Sequence, residues 1–199
     1  MKKAALAAFA LAGILTIPFA HARPLEQIEK SGKIVIGTYG NFLPFTYFEG
    51  NKLTGFEIDL GNEIAKRMNV IADWRPMEFD SLLTGLSQDR WDLVIASFGV
   101  TIERAKAVDF ANPHYCTGGV IVTKNPDIKT AADLNGRTVS VQTGSSYFLA
   151  IQKVPGVKVR NMSSDNARNS LMSGKTDAWV TDKFAALQAQ AKARQNSSV

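Results

Sequence analysis

Segments with strand character and segments with helix character alternate along most of this chain, and this alternation constrains its fold more than any other feature. Short β-branched runs such as 33–38 and 138–141 are each followed, directly or after a loop, by a segment whose apolar residues have helical spacing. Alternation of this kind favours an α/β fold with layers of helices on mostly parallel sheets. Ligands of such folds bind beyond the C-terminal ends of the strands, so the turns that follow the strands are candidate sites.

The sequence predicts two small α/β lobes, because the alternation is interrupted once, between residues 109 and 124. The interruption contains Asn112-Pro113, which stops a helix, and the flexible pair Gly118-Gly119. The predicted parts are lobe 1 at 23–112, a hinge crossing at 113–117, lobe 2 at 118–190 and a polar tail at 191–199. Strands are predicted at 33–38, 70–77, 91–97, 119–124, 138–141, 157–161 and 177–181. Helices are predicted at 55–69, 79–88, 104–108, 145–154, 164–173 and 183–193, with a helical turn at 129–134. The strand 91–97, with its apolar run 93–96, is expected to be buried on both faces.

The first 22 residues have the pattern of a secretory signal peptide. Lys2 and Lys3 precede the uncharged apolar stretch 4–17, and the small-x-small sequence Ala20-His21-Ala22 marks a cleavage site near Ala22. The apolar stretch is too short to span a bilayer comfortably. A soluble periplasmic protein that starts near Arg23 is therefore expected.

Composition excludes several classes of function. The formal charge is +5, and without Lys2 and Lys3 it falls to 21 basic minus 18 acidic residues, or +3, which is too mild to indicate nucleic-acid binding. With only two histidines, His21 and His114, a histidine metal site or catalytic triad is not expected, and no cofactor is predicted. Cys116 is the only cysteine, so it cannot form an intramolecular disulfide, and it is expected to be a small buried hydrophobe.

An arginine at the start of a helix is the most informative local feature. After the strand 91–97 comes a turn at Gly99, then Thr101, which can cap a helix, and Arg104 in the first helical turn. Helix N-termini already carry partial positive charge, so an added guanidinium suits a bound carboxylate. A solvated surface arginine beside Glu103 is an equal alternative at this point.

Other turns after strands are open to two interpretations. Ser145 and Ser146 begin a helix, where they could equally cap it or bind an anion, whereas for Asp182 taken alone a simple N-cap is the favoured interpretation. Four aromatic residues within seven positions could be core or a shelf for a ligand. They are Phe42, Phe45, Tyr47 and Phe48.

The ordered set of motifs resembles the family of periplasmic solute-binding proteins for polar amino acids, the receptor components of ABC importers. The matching segments are Lys33-Ile34-Val35-Ile36-Gly37-Thr38, Phe42-Leu43-Pro44-Phe45, 53–60, 91–96, Thr101-Ile102-Glu103-Arg104-Ala105-Lys106, Asp109-Phe110, 133–136 and Asp177-Ala178-Trp179-Val180-Thr181-Asp182. The resemblance covers residues 30–190 and implies a two-lobed, type II-like periplasmic-binding-protein fold, with a mostly parallel sheet flanked by helices in each lobe.

The resemblance also implies a ligand site. By its pattern Arg104 pairs with the α-carboxylate of an amino acid, and Asp182 with its α-ammonium group. The remaining implied contacts are the helix-start serines Ser145 and Ser146, the turn residues Ala96, Ser97 and Gly99, the aromatics Phe42 and Phe79, and Gln142 toward the side chain. A zwitterion needs one cation and one anion close together in a dry cleft, which agrees with this assignment.

This sequence departs from the family's pattern in three places. Tyr39 stands where several relatives that bind basic residues or amides carry an aspartate. Gly99 stands where a serine or threonine is common, so one hydroxyl contact is lost. The family's chain normally continues for about 60 residues that complete lobe 2 and return to lobe 1, so the resemblance implies a C-terminally shortened chain that lacks this return.

The expected function is therefore that of an extracytoplasmic receptor. It would bind a polar amino acid, glutamine first, and deliver it to an ABC transporter permease, as a monomer without a cofactor, catalysis or nucleic acid. Two alternatives remain. One is a dehydratase-like enzyme on the same fold, for which Glu57 and Glu78 are the available carboxylic acids. The other is a sensor or remnant that no longer transports.

Overall fold

The computed structural model describes residues 23–196 and shows two lobes, each built around its own β-sheet. The predicted signal peptide and residues 197–199 lie outside the described residues. Within 23–196 no helix is both long and apolar enough to cross a membrane.

The first lobe has a three-stranded parallel sheet with the order β4-β1-β5. Its elements in chain order are α1 (Leu25–Ser31), β1 (Lys33–Thr38), β2 (Tyr47–Glu49), β3 (Lys52–Thr54), α2 (Phe56–Arg67), β4 (Ile71–Pro76), α3 (Leu82–Ser87), β5 (Leu93–Val94) and α4 (Ile102–Ala105). A short 3-10 turn, Phe79–Ser81, precedes α3, and β2 and β3 form a separate hairpin.

The connections from β1 to β4 and from β4 to β5 each contain a helix, so the three strands run in the same direction. Their C-terminal ends therefore lie at one edge of the sheet, at the cleft. Ile34 and Ile36 of β1 pack with Ala65 of α2 and with Ile95, in a core on one side of the sheet. A second, aromatic cluster lies toward the cleft and includes Phe79. The C-terminal ends of the parallel strands therefore meet beside this aromatic cluster.

The second lobe has a four-stranded sheet with the order β6-β9-β7-β8, in which only β6 is antiparallel to its neighbour. Its elements are β6 (Gly119–Thr123), a 3-10 turn (Ala131–Leu134), β7 (Thr138–Gln142), α5 (Ser146–Ile151), β8 (Lys158–Met162), α6 (Ser164–Met172), β9 (Ala178–Asp182) and α7 (Lys183–Asn196). Val139 and Val141 are fully buried on one face, and Trp179 packs with Ala167 and Leu171 on the other.

The chain passes from the first sheet to the second through residues 106–118, here called the crossing segment. Cys116 lies in this segment and is exposed, so the expectation of a buried cysteine is wrong. The segment has no regular secondary structure and lies over the first lobe, and this leaves the thiol without a covering layer.

Several predicted elements differ in extent from the observed ones. Only Leu93–Val94 of the predicted strand 91–97 pairs in the sheet, and both residues are partly exposed, so burial on both faces is wrong. The strand is an edge strand with a single neighbour, β1, which limits its pairing. Helix α4 begins at Ile102, directly after its cap Thr101, rather than at 104. Helix α7 extends to Asn196, past its predicted end at 193, and α1 and the β2–β3 hairpin were not predicted.

Candidate functional site

A cavity of about 760 Å³ lies between the lobes, at the C-terminal ends of their parallel strands. Ten of the eleven residues that the sequence singled out line it: Phe42, Phe79, Ala96, Ser97, Gly99, Arg104, Gln142, Ser145, Ser146 and Asp182. The eleventh, Tyr39, is buried behind Phe79, with the two rings edge to face and their centroids 6.0 Å apart. The cavity also runs along apolar surface of the first lobe that includes Leu60 and Leu86, so the predicted site occupies one part of it.

Arg104 is held at the mouth of the first lobe by a short capped helix. The Thr101 hydroxyl accepts a hydrogen bond from the backbone N–H of Arg104 at 3.2 Å and so fixes the start of α4. The guanidinium donates from Nη1 to the carbonyl oxygen of Gly99 at 2.6 Å and from Nη2 to that of Gly144 at 2.7 Å. Since Gly144 belongs to the second lobe, this one side chain contacts both lobes.

Two stacked rings support the guanidinium. Phe79 and Phe98 lie 4.1 Å apart and nearly parallel, and the guanidinium carbon of Arg104 lies 4.8 Å from the centroid of the Phe98 ring. Burial lowers the pKa of Arg104, although an arginine so shifted still keeps its charge at neutral pH. The contribution of Phe98 was missed from sequence. Its place three residues before the cap Thr101, in the turn after β5, was the only available signal.

Asp182 is almost fully buried at the junction of β9 and α7. Its Oδ1 accepts hydrogen bonds from the backbone N–H groups of Phe184 at 2.7 Å and Ala185 at 3.2 Å, so it does cap α7. Its Oδ2 accepts one from the hydroxyl of Tyr147 at 3.3 Å. The ring of Tyr147 reaches this place because Gly119, which pairs with Asp182, has no side chain; a Cβ there would lie 2.8 Å from the ring.

The two serines at the start of α5 differ in what they can still bind. The Ser145 hydroxyl accepts from the N–H of Phe148 at 3.1 Å and donates to the carbonyl oxygen of Gln142 at 2.8 Å, so it serves as the N-cap. Ser146 is less buried, and its Oγ lies close to Gly99: a Cβ added to Gly99 would be 3.5 Å from it. Ser146 thus faces the turn of the first lobe, and its hydroxyl is the one free to contact a ligand.

Gln142 and Tyr39 lie at the side of the site away from the crossing segment. The side-chain amide nitrogen of Gln142 is buried and forms no well-aligned hydrogen bond among the described residues, although the Gln142 side chain lies close enough to the Tyr39 hydroxyl to act against the rise in its pKa. The Tyr39 hydroxyl accepts a hydrogen bond from the backbone N–H of Ser164, in the second lobe, at 3.0 Å. Burial is the main cause that raises the pKa of Tyr39, with Glu78 and Asp165 nearby adding to it.

The turn after β5 has an unusual backbone conformation. Ser97 has a φ of +57°, a region that residues other than glycine seldom adopt. Ala96, beside it, is buried, and both residues line the cavity. The carboxylate of Glu57 accepts hydrogen bonds from the N–H of Ser97 at 2.8 Å and from its hydroxyl at 3.0 Å. Sequence gave no sign of this contact, which spans 40 residues.

Of the four aromatic residues interpreted as a possible shelf for a ligand, only Phe42 lines the cavity. Phe42 and Phe45 are buried and stacked at 5.4 Å, whereas Tyr47 and Phe48 belong to the β2–β3 hairpin, and Phe48 is about half exposed. Consecutive residues of a strand point to opposite faces, so these two rings do not form one surface, and neither lines the cavity. Tyr115 of the crossing segment stacks on Phe45 at 4.7 Å instead, and this residue was also missed.

Metal ligands do not cluster here: within 23–196 there is no group of three or more histidine, cysteine, aspartate or glutamate side chains able to hold a metal ion.

Two α/β lobes with a cavity at the C-terminal ends of both sheets, lined by a guanidinium and a carboxylate, define a two-lobed solute-binding protein. The model for bacterial extracellular solute-binding proteins, family 3, matches residues 34–151. The chain belongs to this family.

Known proteins similar to this chain include binding proteins for several amino acids. The L-cystine-binding protein TcyJ of Escherichia coli (strain K12) is 35% identical over 184 residues, which cover 89% of this chain and 69% of that protein. An ancestral arginine-binding protein bound to glutamine is 40% identical, with a TM-score of 0.78 over 83% of this chain and 74% of that one. An ancestral amino acid-binding protein described as a precursor of cyclohexadienyl dehydratase is 32% identical, with a TM-score of 0.81 over 85% and 78%.

Proposed function

We propose that this protein is a periplasmic receptor that binds one polar amino acid, glutamine first, between its lobes and delivers it to an ABC transporter permease. It acts without a cofactor and without catalysis, as a monomer exported by the signal peptide at 1–22. The relatives named above, which bind amino acids, support the class of ligand.

One observation carries the proposal: the cavity is lined by two opposite charges that lack counter-ions. Neither Arg104 nor Asp182 forms a salt bridge within residues 23–196, although Asp182 is 1% exposed. Burial of an unpaired charge is costly. A zwitterionic amino acid relieves both costs at once, with its carboxylate on Arg104 and its ammonium group on Asp182.

The side of the site near Gln142 favours a neutral ligand side chain. The unpartnered amide of Gln142 can donate to the side-chain carbonyl oxygen of glutamine. The other carboxylates that line the cavity are Asp92, which pairs with Arg23, and Asp109, which lies in the crossing segment. The carboxylates of Glu78 and Asp165 act on Tyr39 on the Gln142 side, but neither lines the cavity, so a long cationic side chain there would contact no carboxylate directly.

Calorimetric titration of the mature protein with glutamine, cystine and arginine tests the choice of ligand. Glutamine is expected to bind most tightly. If arginine or cystine bound tenfold more tightly, a difference of about 1.4 kcal/mol, the glutamine assignment would be wrong. Glutamine α-amide, which lacks the carboxylate, and N-acetylglutamine, which lacks the ammonium group, are matched controls for the head group. Each should bind at least tenfold more weakly than glutamine.

The mechanism we propose is closure of the two lobes about the crossing at 113–117. Small-angle scattering should show a smaller radius of gyration with saturating glutamine. An unchanged radius would contradict closure while leaving the choice of ligand untouched.

The similarity to a dehydratase precursor favours one second candidate, an enzyme on the same fold. General acid catalysis needs a carboxylic acid that faces the cavity. Glu57 is buried with both oxygens hydrogen-bonded, Glu78 is exposed, and neither lines the cavity. Of the carboxylates that do line it, Asp92 pairs with Arg23, Asp182 caps α7 and Asp109 is exposed. Incubation with prephenate-like acids should therefore leave them unchanged.

A further inference from the structure

Glu57 is a fully buried carboxylate that the proposed binding mechanism does not use. It is the second residue of α2, its exposed fraction is 0%, and it forms no contact with Arg or Lys within residues 23–196. A buried carboxylate without a cationic partner must receive several hydrogen bonds to be tolerated. Its partners therefore indicate what it does.

The partners come from two different parts of the site. Ser97 donates twice, from its N–H to Oε1 at 2.8 Å and from its hydroxyl to Oε2 at 3.0 Å. The Nε2 of His114, in the crossing segment, lies 3.1 Å from Oε1. One carboxylate therefore joins the ligand-facing turn after β5 to the segment that connects the lobes.

The contact with Ser97 holds a costly backbone conformation. A φ of +57° is unfavourable for serine and persists only where surrounding contacts impose it. In this conformation the turn directs the carbonyl oxygen of Gly99 to the guanidinium of Arg104, at 2.6 Å. Glu57 thus acts on the head-group site through Ser97, at a distance from any ligand.

The contact with His114 is reinforced by packing. The His114 ring lies over Phe56, with centroids 6.0 Å apart, and edge to face with Tyr115 at 5.0 Å. Tyr115 in turn stacks on Phe45. The start of α2 therefore anchors the crossing segment as well as the turn.

We propose that Glu57 is a positioning residue for ligand binding, which holds Ser97 in its left-handed conformation and couples this turn to the crossing segment through His114. The proposal rests on the proposed function for its ligand. The matched variants are Glu57→Gln and Asp92→Asn, since Asp92 is also a poorly exposed carboxylate of the first lobe that accepts a backbone N–H, from Val35 at 2.7 Å.

The first measurement is hydrogen exchange of the ligand-free protein, which needs no ligand. Glu57→Gln should speed exchange in segments 95–99 and 111–118 more than in the rest of the first lobe, whereas Asp92→Asn, which lowers the stability of the lobe, should not single out these two segments. Unchanged exchange in 95–99 would overturn the positioning role, and unchanged exchange in 111–118 alone would overturn the coupling. This measurement needs no glutamine, so it can support or overturn the role of Glu57 even if the wild type does not bind glutamine. Failure of this proposal can therefore be told apart from failure of the proposed function.

The second measurement is the affinity for glutamine in a double-mutant cycle. Glu57→Gln should weaken binding about fivefold or more in the wild-type background, and less than about twofold in a Ser97→Gly background, since glycine adopts a positive φ at little cost. Equal losses in the two backgrounds would overturn action through Ser97. An equal loss in Asp92→Asn would indicate general destabilisation of the lobe and also overturn the proposal.

Discussion

The guanidinium of Arg104 donates a hydrogen bond to the carbonyl oxygen of Gly144 across the cleft, at 2.7 Å. Gly144 has a φ of +71° and belongs to the turn between β7 and α5, in the other lobe. An arginine has five N–H donors, and only two of them are used by Gly99 and Gly144. The same side chain can therefore bind an anion and set the distance between the lobes.

Substitution of Arg104 is expected to weaken glutamine binding by more than about 2 kcal/mol, and Arg104→Ala should cost more than Arg104→Lys. The planar fork of arginine can hold a carboxylate by two hydrogen bonds, whereas lysine offers a point charge. Titration calorimetry measures the loss. Near-native affinity in Arg104→Ala would mean that Arg104 is a surface residue that binds no ligand.

Asp182→Asn separates the two roles of this residue. Asparagine is as good an N-cap as aspartate, so the free energy of unfolding should change by less than about 1 kcal/mol. The charge that receives the ammonium group is lost, and glutamine should bind at least about tenfold more weakly. Urea unfolding and calorimetry on the same sample test both parts. If stability fell and affinity did not, Asp182 would be only the cap of α7.

The positions of Arg104 and Asp182 at the cavity could be predicted from the sequence, because they depend on local features. Each comes after the end of a strand, at the start of a helix, and strand, cap and helix can all be recognised within about ten residues. The same reasoning located β1 at its observed bounds, 33–38, and α2 to within two residues at each end.

Contacts between distant segments could not be predicted in this way. Phe98 depends on the ring of Phe79, and Glu57 depends on Ser97 and His114, which are 40 and 57 residues further along the chain. The pairing of strands also depends on residues far apart in the chain. The segment 91–97 contributes only two residues to the sheet, because β1 is its only neighbouring strand.

Gln142→Leu should lower affinity without lowering stability. The buried amide nitrogen of Gln142 has no partner among the described residues, so its replacement by an apolar side chain removes a desolvation cost. Glutamine, whose side chain would accept from this amide, should lose about 1 kcal/mol of binding. Alanine has the same head group and no amide, and its affinity is the matched control, which should not change. An equal loss for both ligands would contradict a side-chain contact.

Tyr39→Phe tests the hydrogen bond from the backbone N–H of Ser164 to the Tyr39 hydroxyl, which joins the lobes without Arg104 or Asp182. The variant keeps the ring against Phe79 and removes the hydroxyl, which accepts from the Ser164 N–H and also interacts with the Gln142 side chain. We expect glutamine binding to weaken by about 1 kcal/mol, because the contact between the lobes loses one hydrogen bond. Tyr47→Phe, on the hairpin, is the matched control and should have no effect. If Tyr47→Phe weakened glutamine binding more than Tyr39→Phe, the hydroxyl that matters for binding would lie outside the cleft.

Asp92 should contribute stability that depends on pH. Burial alone would raise the pKa of its carboxyl, but hydrogen bonds from Arg23 and from the N–H of Val35 outweigh burial and lower it. A pKa lowered by folding contributes stability above the unfolded value of about 3.9, and this contribution is lost as pH falls through the folded value. Asp92→Asn should therefore unfold about 1–3 kcal/mol more easily at pH 7, with a smaller difference at pH 3. Urea unfolding at both pH values measures this, with Asp127→Asn, an exposed carboxylate without an ion pair among the described residues, as the control. A difference that grew as the pH fell would mean that Asp92 is protonated more easily in the folded protein than in the unfolded one.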